Sequence, residues 1–168
     1  MLHLTVAAFF HCSEDALAEV DSGLTAIADQ SRQRAARFPL NHQGVAGGDG
    51  GIFLDLAGPQ MPEALQQLHG EVVGLLRKTS GATLEMEHAE GDYRPHIPLM
   101  QYAMLPEDVM ADALEFARRV VEDLAVPEST TAWRLLLVRF QSQAAGEDWS
   151  GGRWAADLSW DIVSSHTL

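Results

Sequence analysis

Two histidines stand at matching positions of an internal repeat, and such a pair can carry out acid–base chemistry. When the chain is aligned with itself at an offset of 93 residues, without a gap, His3 falls on His96. The neighbouring pairs are Leu4 with Ile97, Thr5 with Pro98, Val6 with Leu99 and Phe9 with Tyr102. Because an imidazole titrates near neutral pH, one ring of a pair can accept a proton while the other donates one. We therefore expect the two rings to face a common cleft.

Phosphodiester cleavage is the reaction that such a pair serves best. One histidine takes a proton from the attacking group, and the other gives a proton to the leaving oxygen. Imidazole N–H groups and a hydroxyl would also donate to the phosphate oxygens as negative charge develops on them. Thr5 is the predicted hydroxyl, because residues two apart on a strand point to the same face as His3 does.

The two tetrapeptides His3-Leu4-Thr5-Val6 and His96-Ile97-Pro98-Leu99 resemble the paired His-x-Thr/Ser-hydrophobic motifs of the 2H phosphoesterase superfamily. This is the group of 2′-5′ RNA ligases and cyclic phosphodiesterases, and the likeness covers most of the chain. It implies a bilobal, pseudo-twofold α+β fold with two mainly antiparallel sheets around a central groove. It also implies that His3 and His96 are the catalytic acid and base, that Thr5 holds the phosphate, and that no metal or other cofactor takes part.

The second motif departs from the superfamily pattern at Pro98, where Thr or Ser is expected. Proline lacks both the hydroxyl and the backbone N–H, so this side of the phosphate loses a donor. The predicted substrate-binding residues lie in or beside the two motifs: Thr5, Arg94, Pro98, Gln101 and Tyr102. Further candidates for holding a phosphate are the arginines at positions 134, 139 and 153.

A second departure concerns the residues before the first motif. Members of the superfamily usually begin with a further strand and helix, and here the motif starts at residue 3. We therefore expect an open sheet edge in the lobe around His96, and a homodimer or strand exchange through that edge.

The elements that must position the histidines form one domain, 1–168, with repeats at about 1–92 and 93–168. Alternating and helical patterns predict the order β-α-β-β-α-β-α-β-β, with largely antiparallel pairing. The predicted strands are 2–10, 38–45, 52–57, 95–104, 133–141 and 154–163. The predicted helices begin at Ser13, at Pro62 and at about Glu107, and end near 32–37, before 79 and near Leu124. In the strand over 95–104, the residues on one face are His96, Pro98, Met100 and Tyr102.

The glycine-rich segment 44–51 is predicted to be a hairpin connection rather than a phosphate-binding loop. It has no Gly-Lys-Ser/Thr ending, and it leads into a strand instead of a helix.

Composition limits the classes of partner and compartment. The chain has 168 residues, 46% of them apolar and 21% charged, which is typical of a globular domain. A net charge of −13 argues against a general polyanion binder but leaves a small phosphorylated nucleotide or an RNA end as the ligand. Cys12 is the only cysteine, so the cytoplasm is the expected compartment. No apolar run reaches membrane-spanning length, so no membrane is expected as a partner.

Other interpretations of the same residues remain open. The repeat can persist for packing after catalysis has lapsed, and Pro98 favours a non-catalytic nucleotide or RNA-end binder on the same fold. A structural protein that assembles through its open edge is a third interpretation. No metal-ligand set emerges, and Cys12 is expected to be a small buried residue. The histidines without a repeat partner are predicted to be surface residues: His11, His42, His69, His88 and His166.

Overall fold

Three helices form where the sequence predicts them. A computed structural model describes residues 3–34, 38–48, 51–58, 61–85, 93–101, 105–144 and 156–168. The helices are α1 (Glu14–Arg34), α2 (Glu63–Lys78) and α3 (Glu107–Asp123). The Ser13 hydroxyl oxygen accepts the Ala16 N–H at 3.3 Å and caps α1, as predicted.

The strands of the described residues form four small antiparallel sheets, none of them closed, so the chain is an α+β protein. The strands are β1 (Phe10–Cys12), β2 (Phe38–Asn41), β3 (Val45–Gly48), β4 (Gly51–Asp55), β5 (Ala82–Leu84), β6 (His96–Met100), β7 (Ser129–Ala132), β8 (Arg134–Gln141) and β9 (Ser159–Thr167). The sheets are β1-β5, β2-β7, β3-β4-β6 and β8-β9. Of the prediction of two mainly antiparallel sheets around a central groove, the α+β class and the antiparallel pairing are confirmed.

The main core lies between α1, α2 and the β8-β9 sheet. Its buried residues are Val20, Leu24, Ile27, Ala28, Phe38, Leu68, Val72, Leu76, Leu135, Leu137 and Leu168. The members in α1 and α2 recur at helical spacing, so each helix buries one stripe. This core fixes α2 in place, and α2 in turn contacts the first motif.

The predicted strand over 2–10 is wrong for most of its length. Residues 3–9 form no regular strand, and only Phe10–Cys12 pairs, with β5, in a segment for which no strand is predicted. The carbonyls of Thr5 and Val6 accept hydrogen bonds from side chains instead. An apolar run predicts burial, and burial here does not require a strand ladder.

The predicted strand over 38–45 is divided between two sheets. β2 pairs with β7, whereas β3 pairs with β4. Gly44, with φ of 106°, makes the bend between them, a conformation that favours glycine. The predicted glycine hairpin is confirmed, with Gly48 opposite Gly51, but it is shorter than predicted because 45–48 belong to β3.

The predicted strand over 95–104 is shorter and carries a bulge. In β6, His96 pairs with Asp55 and Pro98 with Phe53, but Met100 pairs with Ile52 after a shift in register. His96 and Pro98 therefore share a face, while Met100 lies on the opposite one, contrary to the prediction. β6 is an edge strand of its sheet within the described residues, which is where a strand tolerates proline.

Helix α3 has an amphipathic pattern but buries no residue completely. Three apolar residues of the predicted helix are well exposed: Val109 (44%), Phe116 (62%) and Leu124 (71%). The helix contacts β3, where Leu114 lies against Gly47. Of the helices that the structure describes, none has the length and apolarity needed to cross a membrane.

Candidate functional site

The first motif lies against a small apolar cluster that we call the site core, formed by Leu40, Leu56 and Leu65. Leu4 packs against the site core, while His3 and Thr5 on either side of it are exposed. The inward and outward alternation expected of a strand is thus kept over these three residues, although no strand forms there.

The second motif lies against the same site core through Ile97. Ile97 is opposite Leu54 in the β4-β6 pair, on the face that carries the buried side chains of β4. The neighbouring position, His96, therefore turns to the other face, where Asp55 is its cross-strand partner. The Oδ1 atom of Asp55 accepts the Ala57 N–H at 2.8 Å, which holds this carboxylate at the end of β4.

A hydrogen bond joins the first motif to the segment just before the second. The Tyr93 hydroxyl, three residues before His96, donates to the carbonyl oxygen of Thr5 at 3.1 Å. Tyr93 also packs against the site core, and burial raises the pKa of its hydroxyl, which therefore stays protonated and able to donate. These contacts bring together two segments whose histidines lie 93 residues apart in sequence.

The His96 ring has a defined orientation. Its Nδ1 lies 3.0 Å from the carbonyl oxygen of Arg94, which can only accept, so Nδ1 carries a proton. In the neutral ring, Nε2 then holds the lone pair, and after protonation Nε2 becomes a donor. The Phe53 ring contacts the imidazole at a centroid distance of 4.9 Å and limits its rotation. A ring held in this way can act as a general base or acid at Nε2.

The other predicted substrate-binding residues lie beside His96 with different exposure. Pro98 is half-buried on the same face of β6, whereas Arg94 before the strand and Gln101 after it are exposed. Tyr102 lies outside the described residues. Of the further arginines, Arg134 lies over the Trp133 ring and Arg139 forms a bidentate pair with Asp161. Arg153 lies outside the described residues.

His69 is a residue of the site that the sequence prediction placed on the surface. It is half-buried, its Nδ1 lies 2.6 Å from the Val6 carbonyl oxygen, and its ring stacks on Tyr93 at 4.0 Å with an interplanar angle of 4°. The helical spacing in α2 could have predicted that His69 is partly buried. His69 follows the buried Leu65 by four residues and precedes the buried Val72 by three, and residues at these spacings share a face of a helix.

The surface prediction is also wrong for two other histidines. His42 is half-buried, and its Nδ1 accepts the Gly44 N–H at 3.1 Å. The His166 side chain is 9% exposed and contacts Thr25 and Ser164, which ties β9 to α1. His11 is exposed as predicted, and His88 lies outside the described residues. These contacts give His42 and His166 a packing role.

Cysteine and metal chemistry gain no site within the residues that the structure describes. Burial, and secondarily Glu14, raises the pKa of the half-buried Cys12 thiol, which makes it a poor nucleophile. No group of three or more His, Cys, Asp or Glu side chains in the described ranges is arranged to hold a metal ion.

A groove with a volume of about 740 Å³ runs between α1 and α2, and no residue of either motif lines it. Gly23, Gly70 and Gly74 are among its lining residues, and a side chain at Gly23 would collide with Leu75. The groove therefore reflects the close approach of two helices.

Comparisons with known proteins identify no relative. No family model matches the chain, and no curated protein or solved structure matches it significantly. The function is accordingly inferred from the residues and their geometry.

Proposed function

We propose that the protein hydrolyses, or reversibly ligates, 2′,3′-cyclic or 2′-5′ phosphodiesters on nucleotides or RNA ends. In this proposal it is a member of the 2H phosphoesterase superfamily with a bilobal fold around a groove. His3 and His96 act as general acid and base, Thr5 holds the phosphate, and no metal is required.

The observation that carries the proposal is the convergence of the two histidine motifs on one site core. Leu4 and Ile97 pack against the same cluster, and the Tyr93 hydroxyl bonds to the Thr5 carbonyl. If each His-x-Thr/Pro segment only packed against its own part of the core, there would be no reason for both segments to meet at one cluster.

A second observation supports descent of the two halves from one unit. α1 begins at Glu14 and α3 begins at Glu107, so the two helix starts differ by 107 − 14 = 93 residues. This is also the offset between His3 and His96. Each motif therefore precedes a helix by the same number of residues, which is what a duplicated lobe requires.

In the proposed hydrolysis, one neutral histidine takes a proton from water as the water oxygen attacks phosphorus. The bond between phosphorus and one ribose oxygen breaks, and the other histidine, protonated beforehand, gives its proton to that oxygen. The Thr5 hydroxyl donates to a non-bridging oxygen as charge builds. Ligation uses the same forward steps with a hydroxyl of a second RNA end in place of water. One histidine takes the proton of that hydroxyl as its oxygen attacks the phosphorus of the 2′,3′-cyclic phosphate. The bond to one ribose oxygen breaks, and the other histidine gives its proton to that oxygen.

Turnover of a 2′,3′-cyclic nucleotide in EDTA tests the proposal. We expect wild-type turnover without added metal, and His3→Ala and His96→Ala should each lower kcat on the order of 100-fold or more, because an acid or base is lost. His11→Ala is the matched control, since His11 is exposed and has no repeat partner. Turnover that depends on metal, or equal rates in all variants, would refute the two-histidine mechanism.

The second candidate function is a non-catalytic nucleotide or RNA-end binder, and Pro98 is the observation that favours it. Pro98 lies on the same face of β6 as His96, at the position where a hydroxyl donor is expected. In this case a 2′,3′-cyclic nucleotide should bind without turnover, and His96→Ala should weaken binding. The cytoplasmic location remains a prediction from the single cysteine.

A further inference from the structure

The backbone of the first motif is held by side chains rather than by a strand ladder. Residues 3–9 form no strand, yet two consecutive carbonyls accept hydrogen bonds from residues far away in sequence. The Thr5 carbonyl accepts from Tyr93 at 3.1 Å, and the Val6 carbonyl lies 2.6 Å from His69 Nδ1. Two anchored carbonyls in a row fix the orientation of the two peptide planes that follow Thr5 and Val6.

The two donors are themselves in contact with each other. The His69 and Tyr93 rings stack at a centroid distance of 4.0 Å and are almost parallel, so movement of one ring requires movement of the other. His69 belongs to α2, whose neighbouring residues Leu68 and Val72 are part of the main core. Tyr93 precedes the second motif and packs on the site core. The pair therefore connects the first motif to both cores and to the strand of His96.

The hydrogen that each donor supplies is defined by its surroundings. The carbonyl of Val6 cannot donate, so the Nδ1 atom of His69 carries the hydrogen in the neutral and in the charged ring. The Tyr93 hydroxyl stays protonated because of its burial. The clamp formed by His69 and Tyr93 thus persists over the whole pH range in which an imidazole can change its charge.

We infer that His69 and Tyr93 are positioning residues for the proposed phosphodiester reaction: they hold residues 3–6 so that His3 and Thr5 lie in register with His96. This inference rests on the proposed function, but it adds two residues that neither motif contains. Its physical basis is that a misplacement of about 1 Å in a reacting group can cost about 100-fold in rate.

Three substitutions separate the parts of the clamp. Tyr93→Phe removes the hydroxyl and keeps the ring stack, and His69→Phe removes the Nδ1 donor and keeps a stacked ring. His69→Asn places an amide N–H near the former Nδ1 position and gives up the stack. Thr79→Val is the matched control, because it deletes a hydroxyl that donates to the Leu75 carbonyl at the same distance, 3.1 Å, at the end of α2.

We expect Tyr93→Phe and His69→Phe to lower kcat on a 2′,3′-cyclic nucleotide about 10-fold to 100-fold with little change in KM. His69→Asn should recover part of the loss, and Thr79→Val should leave kcat unchanged at a comparable loss of stability. In a His3→Ala background, Tyr93→Phe should have no further effect on the rate. Amide hydrogen exchange at residues 4–7 should become faster in both Phe variants.

The outcomes distinguish the clamp from the proposed function. If the wild type turns over the nucleotide and both Phe variants keep its kcat, the positioning role is overturned while the proposed function stands. The same conclusion follows if Thr79→Val loses as much activity as Tyr93→Phe, because the effect is then one of stability alone. If the wild type binds the nucleotide without turnover, the proposed catalysis fails and the catalytic role of the clamp fails with it.

Discussion

At the scale of single residues, position 98 determines how many hydrogen-bond donors the second motif can offer to a phosphate in the proposed reaction. Pro98 shares a face of β6 with His96, and within the described residues β6 is an edge strand. A threonine would fit the backbone there, because threonine is favoured in strands. Its hydroxyl would provide a donor equivalent to Thr5. One such donor is typically worth about 2.7–4 kcal/mol in the transition state.

We therefore expect Pro98→Thr to raise kcat on a 2′,3′-cyclic nucleotide and Thr5→Ala to lower it, by up to about 100-fold to 1000-fold in each case. KM should change little, because the added bond strengthens as charge develops. Pro39→Thr is the control, since Pro39 is an exposed proline in β2 and belongs to neither motif. A folded Pro98→Thr protein with unchanged kcat would show that another group, such as Arg94 or Gln101, binds that side of the phosphate.

The burial of Tyr93 has a consequence for stability at alkaline pH. The pKa of its hydroxyl is raised in the folded protein, whereas a tyrosine of the unfolded chain ionises near pH 10. Above that pH the folded state binds more protons than the unfolded state, so the free energy of unfolding falls as the pH rises. Between about pH 9 and about pH 11, we expect the free energy of unfolding to fall by about 1 kcal/mol more in the wild type than in Tyr93→Phe.

Urea unfolding at these two pH values measures the effect. Tyr102→Phe is the control, because Tyr102 is the only other tyrosine of the chain. Equal alkaline losses in the wild type and in Tyr93→Phe would mean that the Tyr93 hydroxyl is not held in a desolvated environment.

At the scale of elements, the helices were predictable because their signals are local. The Ser13 cap, the acidic first turn and the spacing of Val20, Leu24 and Ile27 all lie within or next to α1 itself. Strands depend on partners that are distant in sequence, so β5 and β7 were not predicted and β9 begins five residues later than expected. The residues 3–9 have a strand pattern, but carbonyls among them bind side chains of α2 and of the segment before β6.

The break between β2 and β3 gives a test of an element boundary. Gly44 has a φ of 106°, its N–H donates to His42 and its carbonyl accepts from Asp55. A side chain strains such a backbone, so Gly44→Ala should lower the free energy of unfolding by about 1–2 kcal/mol. Gly48→Ala is the control, because a methyl group there meets no atom within 4 Å. Equal stabilities of the two variants in urea unfolding would contradict the assigned bend.

At the scale of the whole molecule, the sequence predicts the pairing of the two motifs but not what holds them. The 93-residue offset is visible in the sequence and recurs in the starts of α1 and α3. The clamp was not predictable from the repeat, because neither His69 nor Tyr93 has a counterpart with the same role in the other repeat. A contact that joins two sequence repeats breaks their symmetry, and self-alignment detects only what the repeats share.

The last prediction concerns association of two chains through the edge of β6. Within the described residues this edge has no strand partner, and Leu99 on β6 is 39% exposed. An unpaired edge favours pairing with another chain, whereas a net charge of −13 on each copy opposes it. Because salt screens the repulsion, we expect a dimer at about 0.15 M salt that weakens at about 0.01 M.

Leu99→Lys should abolish the dimer, since a charge on an edge strand prevents pairing. Leu124→Lys, at the exposed position just after α3, should leave it intact. Sedimentation velocity at several concentrations measures both effects, and a monomer at every salt concentration would refute the edge contact. Loss of the dimer in Leu124→Lys alone would place the interface on α3 instead.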